Sequence, residues 1–113
     1  MEKIVEQGLL YDFYGELLTE HQKKIYEDVV YNDFSLAEIA EENGISRQGV
    51  HDLVKRCDHI LKEYEDKLHL VERFSKVKDN VRQLEQLTGN AEITREEMME
   101  KVGLLSRQIL EEL

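Results

Sequence analysis

The chain has 113 residues, of which 41% are hydrophobic and 35% are charged, and its formal net charge is −10. This length fits one domain with an appended helical arm, and the absence of Pro favours helices. No apolar run reaches the roughly 18 residues of a membrane span, and the acidic N-terminus does not resemble a secretory signal. The single Cys57 cannot form an internal disulfide. These features predict an all-α protein of the reducing cytoplasm, without membrane insertion.

Two helices are predicted before residue 32. The first covers residues 4–18 and carries an apolar stripe at a spacing of four residues. The stripe consists of Val5, Leu9, Phe13 and Leu17, flanked by Leu10, Tyr14 and Leu18. Thr19 and Gln22 have the spacing of a capping box, in which Thr19 caps the second helix and Gln22 reaches back to it. The second helix should end near Tyr31, before Asn32-Asp33.

Residues 35–56 have the pattern of a helix-turn-helix. Ser35 and Glu38 form a second predicted capping box, and Asn43-Gly44 should end this short helix because Gly accepts the left-handed conformation. Ser46 then caps a fourth helix. The positions expected to face inward are Ile39, Ala40, Ile45, Val50 and Leu53. In this motif the second helix lies in the major groove of DNA.

The candidate binding site lies on the outward positions at the start of the fourth helix. These positions are Ser46, Arg47, Gln48, His51, Asp52, Lys55 and Arg56, of which all except the acidic Asp52 are predicted to contact nucleic acid. Arg and Gln side chains read guanine and adenine edges by paired hydrogen bonds, and Lys55 and Arg56 suit contact with phosphate. Two residues depart from the motif: Asn43 stands where an apolar residue is usual, and Gly49 weakens the first turns. The alternative is a compact helical pair with no nucleic-acid role.

The stretch from Ser35 to Arg56 resembles the region of bacterial sigma factors that reads the promoter −35 element. The longer stretch LLYDFYGELLTEHQKKIYEDVVYNDFSLAEIAEENGISRQGVHDLVKRCDHILKEYEDKLHL, from Leu9 to Leu70, resembles the YlxM-type (UPF0122) proteins of Gram-positive bacteria. The resemblance implies a small helical, DNA-binding protein associated with signal-recognition-particle genes, and a role in that pathway. Beyond about Leu70 no motif matches the family.

The charge distribution opposes tight binding to DNA. Residues 1–34 carry three basic and eight acidic side chains, whereas residues 35–56 carry three basic and four acidic ones. Within the candidate site, Arg47, Lys55 and Arg56 stand against Asp52 alone. Electrostatic steering should therefore be weak and binding sensitive to salt, unless a dimer, a protein partner or an RNA supplies further contacts.

A homodimer is predicted through the fourth helix. With no Pro or Gly between Val50 and Leu87, this helix should run for about 41 residues, or roughly 60 Å. Its apolar positions form a heptad seam: Val54, Cys57, Leu61, Tyr64, Leu68 and Val71. An extra three-residue step at Phe74 and Val77 indicates overwinding or a change of partner. The same seam also fits packing within one chain, and the heptad pattern does not choose between the two.

The C-terminal part should be a helical extension. Thr94 and Glu97 form a third predicted capping box, which opens a helix to the end of the chain. This helix either folds back on residues 77–87 as a hairpin or seeks a groove on another protein. We therefore expect a helix-turn-helix domain over residues 1–70 and a helical extension over residues 71–113.

The sequence gives no indication of an enzyme. His21, His51, His59 and His69 are scattered, and no catalytic, metal or cofactor motif is present. Two functions remain open. One is a helix-turn-helix regulator that binds DNA or RNA. The other is a helical adaptor that binds proteins of the secretion-targeting machinery.

Overall fold

The computed structural model describes residues 2–113, which form six α-helices and one 3-10 turn. The elements are α1 (Lys3–Tyr14), the 3-10 turn (Gly15–Leu17), α2 (Glu20–Val30), α3 (Leu36–Asn43), α4 (Arg47–Leu68), α5 (Leu70–Thr88) and α6 (Arg95–Glu112). The chain divides into two compact units: an N-terminal unit that ends at His69 and a C-terminal unit, Leu70–Leu113. The predicted all-α fold is confirmed.

The helix starts follow the predicted capping residues. Thr19 and Gln22 form a complete capping box, because each side chain accepts the backbone N–H of the other residue, at 3.2 and 2.9 Å. Ser35 accepts the N–H of Glu38 at 3.1 Å, but the Glu38 carboxylate accepts the Ser35 hydroxyl instead of reaching the backbone. The box predicted there is therefore half formed. Thr94 caps α6 through the N–H of Glu97.

Within the broad apolar stripe predicted for residues 4–18, the flanking line is the more deeply buried one. Leu10, Tyr14 and Leu18 are at most 5% exposed. Val5 and Leu17, by contrast, are about half exposed, at 48% and 56%. Since adjacent residues lie about 100° apart around a helix, the flanking positions face the core and the spacing-of-four positions lie at its edge.

The prediction of one continuous helix of about 41 residues is wrong. α4 ends at Leu68, His69 adopts the left-handed conformation at φ 57° and ψ 30°, and α5 begins at Leu70. The N–H of His69 still closes the last turn by donating to the Glu65 carbonyl at 2.8 Å. A left-handed residue other than Gly costs roughly 1–2 kcal/mol, although His accepts it more readily than most. The break falls at the boundary between the two compact units.

The core of the N-terminal unit forms around α4, against which α1, α2 and α3 all pack. The largest fully buried side chains come from all four helices: Tyr14, Ile25, Tyr26, Ile39, Val50, Cys57 and Leu61. Burying a side chain of this size contributes about 1.5–3 kcal/mol. The inner side of α4 is therefore fixed by apolar contacts along most of its length.

Tyrosines join these helices through both their rings and their hydroxyls. Tyr26 donates to Asp58 Oδ1 at 2.6 Å, and Tyr14 donates to Glu65 Oε1 at 2.5 Å. The Tyr14 ring also stacks on Tyr64 with 6.0 Å between the ring centroids. A buried tyrosine requires a partner for its hydroxyl, and here α4 supplies it as a carboxylate. These tyrosines are core and core-edge residues, in agreement with a structural role.

In the C-terminal unit, α5 and α6 form a helical hairpin. Leu87 and Leu105 are its buried apolar residues, and Lys76 and Glu112 form an ion pair at 3.7 Å between the two helices. Of the two arrangements left open by the sequence, α6 therefore takes the hairpin. Across residues 2–113, every helix is too short or too polar to span a membrane.

The burial of Leu61 gives a stability prediction. Leu61→Ala should lower the free energy of unfolding by roughly 2–5 kcal/mol, because it leaves a cavity at a fully buried site. Leu68→Ala, on the same helix but 46% exposed, should cost about 0.5 kcal/mol or less. Urea denaturation followed by tyrosine fluorescence measures both, because all five tyrosines belong to the N-terminal unit and the chain has no Trp. Equal losses in the two variants would contradict the core position of Leu61.

Alkaline pH should unfold the N-terminal unit. Burial raises the pKa of the Cys57 thiol from about 9 to about 11, and burial with the Asp12 hydrogen bond raises the pKa of Tyr31 to about 12. Burial and the Asp58 hydrogen bond raise the pKa of Tyr26 further. The unfolded chain thus releases these protons at a lower pH than the folded chain, so the free energy of unfolding should fall as pH rises from about 9. Urea titrations across this range should show the fall, and it should be shallower in Tyr26→Phe.

Candidate nucleic-acid interface

The turn between α3 and α4 is closed by backbone hydrogen bonds around one glycine. Gly44 lies at φ 66°, where a side chain would add strain. Its N–H donates to Glu41 O at 3.4 Å, and the N–H of Ile45 donates to Ala40 O at 3.0 Å. This pair of bonds is a Schellman motif, which satisfies the last carbonyls of α3. The predicted end of the short helix at Asn43-Gly44 is confirmed.

Asn43, which departs from the usual apolar residue of the motif, is accommodated by a local bond. Its side-chain amide donates to the Ile39 carbonyl at 2.8 Å. The polar group is thus satisfied one turn back on α3, and the turn keeps its closure. Asn43 therefore does not disturb the closure of the turn.

The start of α4 combines Ser46 and Gly49. Ser46 Oγ accepts the N–H of Gly49 at 2.9 Å and caps the helix. A Cβ placed on Gly49 would lie 3.2 Å from that same oxygen and close to Ile45. Gly49 has a low helix propensity and so weakens α4, but its lack of a side chain leaves room for the Ser46 cap and for Ile45.

Beneath the turn, α3 and α4 share a small apolar core with α2. Ile25, Ile39 and Val50 are fully buried, and Ala40 is 6% exposed. The residues packed around these four are Val29, Ile45, Leu53 and Val54. Each inward position predicted for the helix-turn-helix therefore lies in this core or against it. The helix-turn-helix fold is confirmed.

The predicted binding residues all lie on the opposite, exposed side. They are Ser46, Arg47, Gln48, His51, Lys55 and Arg56, and every one is exposed to solvent. Except for Ser46, which precedes α4, they occupy its first ten residues, a length of about 15 Å. We call this surface, together with Asp52, the α4 outer face.

Asp52 organises the polar groups of the α4 outer face. Its Oδ1 accepts the Gln48 side-chain amide at 2.9 Å and lies 3.9 Å from Nδ1 of His51. Arg47 and Lys55, in contrast, form no ion pair within residues 2–113 that the structure describes. Both cations therefore point to solvent, while the Gln48 amide is already held by a neighbour.

The same exposed side of α4 continues beyond the residues selected from the sequence. His59 and Lys62 are exposed, and Lys62 lies two turns beyond Lys55. His59 Nε2 lies 3.2 Å from Glu63 Oε1. The seven-residue spacing of Lys55 and Lys62 is the signal in the sequence that identifies this extension. It adds one cation at the far end of the face.

Acidic residues of α3 border the turn. Glu38, Glu41 and Glu42 are exposed, and Lys24 of α2 reaches Glu42 at 3.6 Å. This exposed pair neutralises one carboxylate only weakly, since surface ion pairs contribute about 0–1 kcal/mol. The α4 outer face thus carries its few cations next to a helix of the opposite charge.

The six residues predicted to form a dimer seam do not lie on one open surface. Cys57 and Leu61 are fully buried in the N-terminal unit, whereas Leu68 is 46% exposed. Val71 belongs to α5, in the other unit. The heptad pattern allowed packing either between two chains or within one chain. Cys57 and Leu61 pack within the chain. Burial also raises the pKa of Cys57, so its thiol is a packing group.

Within residues 2–113, no three His, Cys, Asp or Glu side chains are grouped so that they could hold a metal ion.

Comparisons with known proteins agree with this geometry. A family model described as "Putative helix-turn-helix protein, YlxM / p13 like" matches residues 1–102. A UPF0122 protein of Bacillus thuringiensis (strain Al Hakam) is 40% identical over 107 residues, which cover 95% of this chain and 97% of the relative. A UPF0122 protein of Halalkalibacterium halodurans is 42% identical over 99 residues, covering 88% and 90%.

A further relative extends the agreement to clostridia. The UPF0122 protein of Clostridium kluyveri (strain ATCC 8527) is 49% identical over 81 residues, which cover 71% of this chain and 72% of the relative. The family model spans the whole N-terminal unit and most of the C-terminal one. The chain therefore belongs to the UPF0122 family of YlxM/p13-like helix-turn-helix proteins.

Proposed function

We propose that this protein is a regulator that binds nucleic acid through the α4 outer face. The observation that carries the proposal is the position of Arg47 and Lys55. Both side chains point to solvent from the first turns of α4, directly after a closed helix-turn-helix turn. In this motif those turns enter the major groove, where Arg pairs with guanine and Lys contacts phosphate.

The roles of the proposed contact residues differ with their position. Arg47 and Gln48 open α4, where side chains reach base edges, and Gln48 would exchange its bond to Asp52 for an adenine. His51 stands one turn later. Lys55 and Arg56 would contact phosphates. The Ser46 hydroxyl is engaged as the helix cap, so its contribution is to orient α4.

The charge of the protein limits how it binds. A net charge of −10 opposes approach to a polyanion, and the α4 outer face supplies few cations. Phosphate contacts provide most sequence-independent affinity, so that component should be small here. Binding would therefore require a matched site on DNA or RNA, presented to two copies of the chain or with the help of a protein partner.

The cellular setting is also part of the proposal. Resemblance to YlxM-type proteins suggests the cytoplasm and the signal recognition particle pathway. The competing function, a protein adaptor for secretion targeting that does not bind nucleic acid, is favoured by the acidity of the chain. Binding experiments on the α4 outer face distinguish the two.

Substitutions of Arg47 and Lys55 should have different effects. Arg47→Ala should weaken binding by roughly 1–3 kcal/mol and relax the preference at one base. Lys55→Ala should weaken binding to all sequences alike and reduce the slope of log affinity against log salt by about one. Titrations against a randomised DNA pool and against the small RNAs of the source cell, at several salt concentrations, measure both effects.

Arg107→Ala, an exposed arginine of α6, is the matched control for the loss of one positive charge. It should bind nearly as the wild type does, and helix content should remain unchanged in all three variants. If neither pool is retained at low salt, or if Arg47→Ala and Lys55→Ala bind like the wild type, the α4 outer face does not bind nucleic acid and the adaptor function is preferred.

Removal of the negative charge at Asp52 should strengthen binding. Asp52→Asn keeps an oxygen for the Gln48 amide but removes repulsion between Asp52 and phosphate, so affinity should rise severalfold at low salt. Asp66→Asn removes the same charge about 21 Å further along α4, beyond the screening length of about 10 Å. It should have little effect. An equal gain in both variants would indicate a response to net charge alone.

A further inference from the structure

The two long sides of the α5–α6 hairpin differ in polarity. One side carries two shallow grooves between the helices. Ten of the 13 residues that line them are polar and three are leucines: Lys76, Asp79, Asn80, Gln83, Gln86, Leu87 and Asn90 from α5 and the following turn, and Lys101, Leu104, Leu105, Gln108, Glu111 and Glu112 from α6. We call this the grooved side. Lys76 and Glu112 form an ion pair across it.

The opposite side of the hairpin is apolar. At about 100° per residue, the positions that follow the buried Asn80 and Leu105 turn away from the grooves. We call this side the apolar face and define it by Val77, Val81, Leu84, Met99, Val102, Ser106, Ile109 and Leu113. Val81, Val102 and Met99 are 41%, 38% and 64% exposed. A hairpin of this size thus shows apolar side chains where a surface helix normally shows charge.

Each helix of the hairpin carries two apolar seams. On α6, one seam faces α5 through Leu105. The second runs through Met99, Val102, Ser106, Ile109 and Leu113, with alternating steps of three and four residues. On α5, Val77, Val81 and Leu84 repeat this spacing beside the seam that contains Leu87. A helix that packs against one neighbour needs one seam, whereas a helix of a four-helix bundle has two neighbours and needs two.

The hairpin also buries few apolar side chains to stabilise it. Leu87 and Leu105 are its buried apolar residues among those described. The unit has only 44 residues, Leu70–Leu113, close to the roughly 40 residues below which an isolated domain usually needs oligomerisation, disulfides or metals to be stable. A partner on the apolar face would supply the missing burial.

We propose that the apolar face is the homodimer interface, where two hairpins related by a two-fold axis form a four-helix bundle. This interface replaces the α4 seam, whose central residues are buried within the chain. It does not depend on the nucleic-acid function. We assign a second copy of the chain as the binding partner, because the apolar face is complementary to itself in charge and in the size of its side chains.

The charge argument concerns α6. Eight of the 18 residues of α6 are charged, but from Met99 to Leu113 the second seam carries no charge, and neither do Gly103 and Leu110 beside it; Arg95 lies on this side only at the start of the helix. Copies of a chain with a net charge of −10 repel each other over most of their surface. On the apolar face two copies approach without placing like charges opposite each other.

The size argument follows from the register of the hairpin. Lys76 is level with Glu112, and Gln83 borders the same groove as Leu104. A two-fold axis parallel to the helices leaves the height of each residue along the hairpin unchanged. It places α5 of one copy against α6 of the other copy. Val81 and Leu84 then lie opposite Ser106 and Gly103. A Cβ placed on Gly103 would meet nothing within 4 Å, so space is open there for a large side chain of the other copy.

Analytical ultracentrifugation of the full chain tests the interface. Between about 1 and about 100 µM the wild type should sediment at twice the mass of one chain. Val102→Glu should raise the dissociation constant at least about tenfold, because it buries an unpaired carboxylate. Met99→Glu should have the same effect. Met99 is more exposed than Val102, so a glutamate at this position does not overpack or unfold the hairpin. Leu104→Glu, on the grooved side of the same helix and 47% exposed, should leave the dimer intact.

Disulfide formation between variants tests the arrangement. A mixture of Val81→Cys and Ser106→Cys chains should form a disulfide-linked dimer on oxidation, and each variant alone should form much less, because identical helices lie diagonally in the bundle. Native Cys57 is buried and does not compete. A wild type that stays monomeric up to about 100 µM overturns the proposal. So does a Leu104→Glu chain that dissociates as readily as Val102→Glu, or a single variant that crosslinks as well as the mixture.

Discussion

The carboxylate of Asp58 holds the scaffold of the helix-turn-helix together. It projects from α4 and accepts Tyr26 of α2 at 2.6 Å and Gln7 of α1 at 3.0 and 3.1 Å. Hydrogen bonds to a charged group are worth more than neutral ones, and these bring together three helices that are distant in sequence. Because Cys57 beside it is fully buried, the rotation of α4 about its own axis is fixed at this point. The outward direction of Arg47 and Lys55 depends on that rotation.

Fixing α4 in this way matters because its outer face carries so few cations. A strongly basic domain can hold DNA in many orientations by phosphate contacts, but three cations next to an acidic α3 cannot. Any binding energy must then come from a small number of well-positioned groups, and position is what the buried side of α4 controls. The Gln48–Asp52 bond adds a second constraint, since it orients the Gln48 amide in the free protein.

Local signals in the sequence predicted the local structure well. Thr19, Ser35, Ser46 and Thr94 each cap a helix because a hydroxyl at that position satisfies a free N–H whatever the tertiary context. Gly44 ends α3 for an equally local reason. The exposed direction of the candidate site residues likewise followed from helical periodicity.

The break at His69 and the partner of the α4 seam could not be predicted in this way. His accepts the left-handed conformation more readily than most residues but still at a cost, and the residues around it favour a helix, so the sequence carries no Gly or Pro to mark the break. Likewise, a heptad pattern specifies that a stripe is covered but not by which helix. For the same reason the sequence did not show which side of the broad stripe on α1 is buried, since only its packing against α4 distinguishes Leu10 from Leu9.

The three-residue step at Phe74 and Val77 now has a physical explanation. Before the break, the apolar stripe of α4 is covered by helices of the N-terminal unit, where Val50, Cys57 and Leu61 are fully buried. After it, α5 packs against α6 instead, through the seam that contains the buried Leu87. The change in phase therefore marks a change of the helix against which the stripe packs, which was one of the two interpretations, and overwinding of a single helix is not required.

A helix that packs against a new neighbour needs a new apolar seam. Both α5 and α6 carry a second apolar seam in addition to the one through which they contact each other. The exposed apolar residues Val81, Met99 and Val102 belong to this additional seam, which the proposed pairing of two hairpins would cover.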